Sequence, residues 1–240
     1  MEKDEGVVIG VDCGTTSVRA AVMTTTGRIL SREVRPLGLW YPEPDFVEQS
    51  SENIWEQTCE AVRAAVTAAG VTPEDVRGLG FDATCSLVVL DADWQPVGVT
   101  PGVEVASRNI VLWMDHRAVE QSERINSLGH SVLCFVGNRI SPEMQTPKLM
   151  WLREHLPDRW PRMRHFFDLP DFLTWRATGC PARSLCSLTC KWNYTRSNGW
   201  DATFFNAVGL GDIVQHGFVP LGLNVLPMGD PVGGGLSEEV

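Results

Sequence analysis

Val7-Val8-Ile9-Gly10-Val11-Asp12-Cys13-Gly14-Thr15-Thr16-Ser17-Val18-Arg19-Ala20-Ala21-Val22 joins two apolar runs through a short polar turn. Short apolar runs rich in β-branched residues read as buried strands. Gly14 lets the backbone turn tightly and approach a ligand closely. Thr15, Thr16 and their N–H groups then face outward as donors, a concavity that suits a phosphate. Asp12, at the strand end, is placed to hold a hydrated Mg²⁺, which keeps several waters and needs only one or two carboxylates. A surface hairpin with a turn-forming Asp and Gly accounts for the same residues. Arg19 follows Thr15 and Ser17 on one face of the second strand, where a guanidinium would neutralise phosphate charge or form a surface ion pair.

Working outward, Gly27 marks a turn into a third strand at Arg28 to Arg35, so the chain opens as an antiparallel three-strand meander. Ser50 or Ser51 caps a helix with Ile54, Thr58, Ala61, Val62, Ala65, Val66 and Ala69 on one face, stopped by Gly70. Val76 to Asp82 reads as a buried strand entering the polar turn Ala83-Thr84-Cys85-Ser86, and Leu87 to Leu90 leaves that turn as another strand. Helices are predicted at Asp115 to Ile125, Pro147 to Leu156, Leu169 to Thr178 and Asp201 to Val208, and strands at His165 to Asp168 and Leu185 to Trp192. Leu236 to Val240 resembles the opening of another helix. Strands that precede, separate and follow helices make the class α/β, with helices expected on both faces of a mixed sheet.

The chain has 240 residues, 43% of them hydrophobic, enough for a sizeable core. Its formal charge of −10, from 30 acidic and 20 basic residues, argues against nucleic acid or an anionic membrane as partner through bulk charge. A site built from backbone donors and a metal can still handle phosphate. The 7 cysteines are scattered and lack zinc-ligand spacing, so buried free thiols in a reducing compartment are expected. No signal-like segment or run of membrane-spanning length is present, and the expected location is cytoplasmic.

Three further segments carry candidate chemistry. Asp82 to Ser86 places small and hydroxyl side chains at a strand end, where α/β sheets bind ligands, although an ordinary polar turn would look alike. Asp115 and His116 follow the apolar run Ile110 to Met114. Asp115 is suited to orienting two ligand hydroxyls, to capping the following helix, or to both. Lys191 follows the predicted strand at Leu185 to Cys190 and is either a ligand contact or a solvated cation.

Val11-Asp12-Cys13-Gly14-Thr15-Thr16-Ser17-Val18-Arg19 resembles the segment that opens the FGGY carbohydrate kinases, relatives of the actin, hexokinase and heat-shock-70 ATPases. Gly78 to Ser86, Leu112 to Ala118, Pro147 to Leu152 and Asp168 to Leu173 agree, and together resemble the ribulokinase-like branch. The resemblance implies an actin-like, ribonuclease H-like domain using ATP and Mg²⁺ on a small ketose. In it Asp12 would hold the metal, and Gly14, Thr15, Thr16 and Arg19 the phosphates. Asp82, Ala83, Cys85, Asp115, His116, Glu143 and Lys191 would line the sugar pocket, and Trp113 would offer a stacking face. Residues 1–240 correspond to the sugar-binding first domain of such a kinase, incomplete at its C-terminal end. A general base is expected beyond Val240, and the second, nucleotide-clamping domain lies outside the sequence. A non-catalytic sugar-binding or regulatory short form, or an actin-like ATPase without a sugar substrate, is the alternative.

Overall fold

The computed structural model describes residues 6–102 and 105–237. The first half runs β1 (Val7–Cys13), β2 (Ser17–Thr24), β3 (Ile29–Pro36), β4 (Glu48–Gln49), α1 (Ser51–Ala69), β5 (Val76–Ala83), β6 (Leu87–Leu90) and β7 (Ile110–Val111). The second half runs α2 (Val119–Leu128), α3 (Gln145–His155), β8 (His165–Asp168), α4 (Leu169–Thr178), β9 (Arg183–Ser184), α5 (Leu185–Lys191), α6 (Ala202–Ala207), α7 (Gly211–Gln215) and β10 (Val225–Leu226).

Alternation along β1 buries Val7, Ile9, Val11 and Cys13 and turns Val8, Gly10 and Asp12 to the other face. β1 pairs antiparallel with β2, β2 with β3, and β5 joins β1 in parallel, giving the order β3-β2-β1-β5. The crossover from β3 to β5 is carried by α1, whose apolar face packs Ile54, Ala61 and Ala65 under the sheet. α1 starts where Ser50 accepts the Asn53 N–H and ends at Gly70, whose φ of 66° is the left-handed conformation glycine supplies without strain.

The second sheet has the order β4-β7-β6-β8 and is antiparallel throughout. β6 is buried on both faces: Val88 and Leu90 join the core of the first sheet with α1 and α4, while Leu87 and Val89 join the core built by α3, Phe166, Phe204 and Phe205. This sheet is therefore covered on both sides. The first sheet is not, because α1 and α4 share one of its faces and Gly78, Gly80, Ile29 and Val34 leave the other open. The expectation of helices on both faces is corrected for that sheet.

Three local expectations also change. Leu185 to Lys191 is helix α5: Ser184 accepts the Cys186 N–H as N-cap, and the helical period buries Ser187 and Leu188 while exposing Cys186 and Cys190. α2 begins at Val119, with Ala118 as its N-cap, because Asp115 to Arg117 are held by side-chain bonds instead. Among the free thiols Cys13 is buried, whereas Cys134, Cys186 and Cys190 are exposed. At the C-terminal end Leu236 and Ser237 are not helical, and the rest of the predicted helix lies outside the described residues.

Candidate functional site

The strand registers put three charged residues in a row. Asp12 stands opposite Arg19 on β2 and opposite Asp82 on β5, and neighbouring strands lie about 4.8 Å apart. All three lie near the same end of the sheet. Arg19 Nη1 donates to Asp12 Oδ2 at 2.9 Å, with the two side chains 41% and 56% exposed. The ion pair foreseen for Arg19 thus exists, and its partner is the metal-ligand candidate itself. Exposed pairs of this kind contribute little to stability, so both groups remain available to a ligand.

The turn from β1 to β2 is pinned from three sides. Gly14 N–H donates to Ser17 O at 3.0 Å, the Thr16 carbonyl accepts the Leu37 N–H at 2.9 Å, and the Thr15 carbonyl accepts Gln49 Nε2 at 2.9 Å. A Cβ on Gly14 would sit 3.3 Å from Arg19 Nη1 and 3.4 Å from Ser17 O, so glycine leaves this concavity its room. Among the described residues, none accepts the N–H of Thr15 or Thr16. Two amides without an acceptor among the described residues, a guanidinium and two carboxylates fit a phosphate with a hydrated divalent cation, the N–H groups donating and the carboxylates ligating. No cluster of three or more metal-ligating side chains occurs among the described residues.

A second wall stands beside the turn. Thr84 N–H donates to Cys13 O at 3.0 Å, tying the turn after β5 to the end of β1. Trp113 donates its backbone N–H to Ser86 Oγ at 3.2 Å and its indole Nε1–H to Thr15 Oγ1 at 3.0 Å. Cys85 O accepts Gln145 Nε2 at 3.2 Å, and Asp168 Oδ2 accepts the Trp192 indole at 2.6 Å. Burial pushes the Cys85 thiol up to about 12, with the Asp168 charge adding to it, so this side chain is a neutral thiol. Burial likewise raises Asp168 to about 6.

His116 and Glu143 face each other, His116 Nε2 lying 3.5 Å from Glu143 Oε1. Lys191 closes α5 and lies near enough to act electrostatically on Cys85 and Asp168. The structure thus brings Asp12, Gly14, Thr15, Arg19 and Asp82 together, with Ala83, Cys85 and Lys191 on the adjoining wall, while His116 and Glu143 pair with each other.

Asp115 is placed otherwise. Its carboxylate is fully buried, with Oδ2 accepting from Val47 N at 2.6 Å and Arg117 Nη2 at 2.8 Å, and Oδ1 accepting from Arg117 N at 3.0 Å and Nε at 2.9 Å. It supports the loop that carries Trp113 and neither caps α2 nor faces a ligand. Gln49 and Lys148 shape the site without having stood out as candidates, whereas Ser86 was foreseen within the turn Asp82 to Ser86. The signal available for Lys148 was a lone cation inside the buried stretch Gln145 to Leu152.

Two recesses lie elsewhere, one of about 230 Å³ between Trp160, Arg164 and His216, the other of about 640 Å³ beside Phe135 and Tyr194.

Solved structures place this architecture among sugar kinases with the actin-like ATPase fold. A xyloylose kinase from Brucella ovis matches with a TM-score of 0.79 at 20% identity, covering 98% of this chain and 46% of that one. Plasmodium falciparum glycerol kinase with ADP matches with a TM-score of 0.75 at 12% identity, covering 98% and 46%. At these identities the likeness concerns the fold. The FGGY family of carbohydrate kinases, N-terminal domain, matches residues 7–214, and the chain belongs to that family. The human FGGY carbohydrate kinase domain-containing protein is 48% identical over 239 residues, 99% of this chain and 43% of the relative. A D-ribulokinase of Saccharomyces cerevisiae is 42% identical over 221 residues, 89% of this chain and 31% of the relative. The chain therefore spans less than half the length of these curated relatives.

Proposed function

We propose that this chain is the sugar-binding half of an ATP-dependent pentulose kinase, with a ketopentose such as D-ribulose as acceptor. The row Asp12–Arg19–Asp82 beside the Thr15–Trp113 hydrogen bond carries this reading, because it sets a phosphate site against a wall suited to a polyol. The similarity to the yeast D-ribulokinase supports the ketopentose.

Magnesium nucleotide, when bound, supplies the transferable phosphoryl group and neutralises its charge. Asp12 and Asp82 would hold the cation, and the amides of Thr15 and Thr16 would donate to phosphate oxygens. Arg19 would share its guanidinium between Asp12 and the phosphate, where positioning and charge stabilisation provide most of the catalysis. The sugar would lie against Trp113, Ala83 and Cys85, with Lys191, His116 and Glu143 offering polar contacts around it. A site that hydrogen-bonds several hydroxyls rejects analogues lacking them, because buried partners would be left unmatched.

We place the general base and the nucleotide clamp in the part of the relatives' length that this chain does not span. Loss of a general base alone costs roughly 10²–10⁴-fold in rate, so the 240-residue chain should bind ketose but turn over slowly. Calorimetry with D-ribulose, D-xylulose and ribitol, run beside an ADP-release assay, tests this. Heat from a ketopentose with little ADP formed is expected. No heat from any sugar contradicts the proposal.

A further inference from the structure

Lys148 is the one charged side chain in the stretch Gln145 to Leu152 of α3, and every residue of that stretch is buried. Its ammonium is fully enclosed, a placement that costs several kcal/mol in effective desolvation unless the surroundings offset it. Burial holds its pKa down to about 7 against the opposing pull of Asp115 and Asp168. A methionine of similar length would avoid the cost altogether, so the charge calls for a reason.

The reason lies in what the nitrogen touches. Lys148 Nζ donates to Leu112 O at 2.7 Å and to Trp113 O at 3.4 Å. These carbonyls belong to the two residues that leave β7 and enter the site. Immediately beyond, the Trp113 N–H is fixed by Ser86 Oγ and its indole by Thr15 Oγ1. One peptide segment is therefore held from α3, from the turn after β5 and from the β1–β2 hairpin at once.

We propose that Lys148 is a positioning residue. It fixes the Leu112–Trp113 segment so that the Trp113 indole stays bonded to Thr15, tying the sugar-facing wall to the phosphate hairpin. Without the ammonium, the buried Leu112 carbonyl keeps only the Asp115 N–H at 3.1 Å and the half-buried Trp113 carbonyl loses its donor, and a polar group left unmatched away from water is costly. The segment then rotates to find another partner, and the indole leaves Thr15. Because the Thr15 hydroxyl accepts from Trp113, its own proton is directed elsewhere, so the same motion disturbs both walls. The effect on sugar affinity rests on the proposed ketose reading; the effect on the indole does not.

Two measurements on the 240-residue chain separate these. The first follows the tryptophan indole ¹⁵N–H resonances of the ligand-free protein, with Trp113→Phe used to assign the Trp113 signal. Lys148→Met should shift that signal and speed its solvent exchange, leaving those of Trp160 and Trp200, which bond to Asp212 and Gly222, in place. The second is a double-mutant cycle on D-ribulose affinity by calorimetry. Lys148→Met and Trp113→Phe should each weaken binding about tenfold, and the double variant should bind no more weakly than either one alone. Lys148→Gln retains an N–H donor on a shorter arm and should lose less affinity than the methionine variant. It is read in the same way if Lys148→Met does not fold. An unmoved Trp113 signal in a folded Lys148 variant overturns the proposal, as do losses that multiply to about a hundredfold. Failure of the unaltered chain to bind D-ribulose refutes the ketose reading, and the indole spectra still decide the role of Lys148.

Discussion

Replacing Arg117 by Met should cost this domain a large share of its stability. The guanidinium is fully buried, and so are both carboxylates it serves. It donates to Asp115 Oδ1 at 2.9 Å and Oδ2 at 2.8 Å, to Glu48 Oε1 at 3.0 Å and to Val99 O at 3.0 Å. It is also flanked by the rings of Phe46 and Trp151, whose centroids lie 4.3 and 4.9 Å from its central carbon. Removing one partner of a buried ion pair costs about 3–5 kcal/mol, chiefly because a charge is left uncompensated. Here one cation serves two carboxylates, and the aromatic contacts add about 1–2 kcal/mol when desolvated, so the loss should reach the upper part of that range. A domain of this size shifts its melting temperature by roughly 2–4 °C per kcal/mol, giving a fall of about 8–20 °C. Urea unfolding followed by circular dichroism, with thermal scans alongside, measures it. Adding Glu48→Gln and Asp115→Asn to Arg117→Met should recover part of the loss by removing the stranded charges. A loss below about 1 kcal/mol for Arg117→Met would refute the reasoning, since the trio would then not be acting as a buried, mutually dependent unit.

Other outcomes follow from individual groups. Asp171 is buried, and burial, reinforced by the Asp168 charge, lifts its pKa from 3.8 to about 7. The folded chain therefore keeps a proton that the unfolded chain loses, so this residue's contribution falls as pH rises from about 4 to 7, by on the order of 3–4 kcal/mol. Asp171→Asn should flatten that slope in pH-dependent urea melts; an unchanged slope contradicts the assignment. Ser50→Ala removes the acceptor for the Asn53 N–H at the start of α1 and should destabilise by about 0.5–2 kcal/mol, read from the same melts. Gly14→Ala should leave the melting temperature within about 2 °C while displacing Arg19 from Asp12, because the new methyl would crowd Nη1 at 3.3 Å. A crystal structure of that variant with the ion pair unmoved would contradict the stated purpose of the glycine.

How much of this was legible in the sequence depends on how local each cause is. The β1–β2 hairpin, the caps of α1 and the bounds of β6, β8 and α4 follow from alternation, turn chemistry and caps within a few residues. The row Asp12–Arg19–Asp82 needed more, because Asp82 reaches Asp12 only through the parallel register of β5 against β1, across a crossover that no local pattern fixes. Leu185 to Trp192 reads as a strand because so short a stretch, with apolar residues set among Ser187, Thr189 and Lys191, fits either period; the cap at Ser184 and the burial of Leu188 beneath it decide for a helix. Asp115 looked like a ligand contact because a carboxylate at the end of an apolar run is ambiguous until its partners are known. Those partners, Val47 and Arg117, reach it from the loop before β4 and from two residues ahead. The open face of the first sheet had no sequence signal, since glycines at 78 and 80 leave the alternation of β5 without apolar markers on that side.

The most direct test of the phosphate hairpin uses Mn²⁺ with ATP as a paramagnetic probe of the 240-residue chain. Broadening of the Gly14, Thr15 and Thr16 amide resonances is predicted in the unaltered protein, together with its loss in Asp12→Asn at equal nucleotide concentration. Broadening that centres on another part of the fold, or that persists undiminished in Asp12→Asn, would contradict the assignment of the β1–β2 turn and its carboxylate to a metal-bound phosphate.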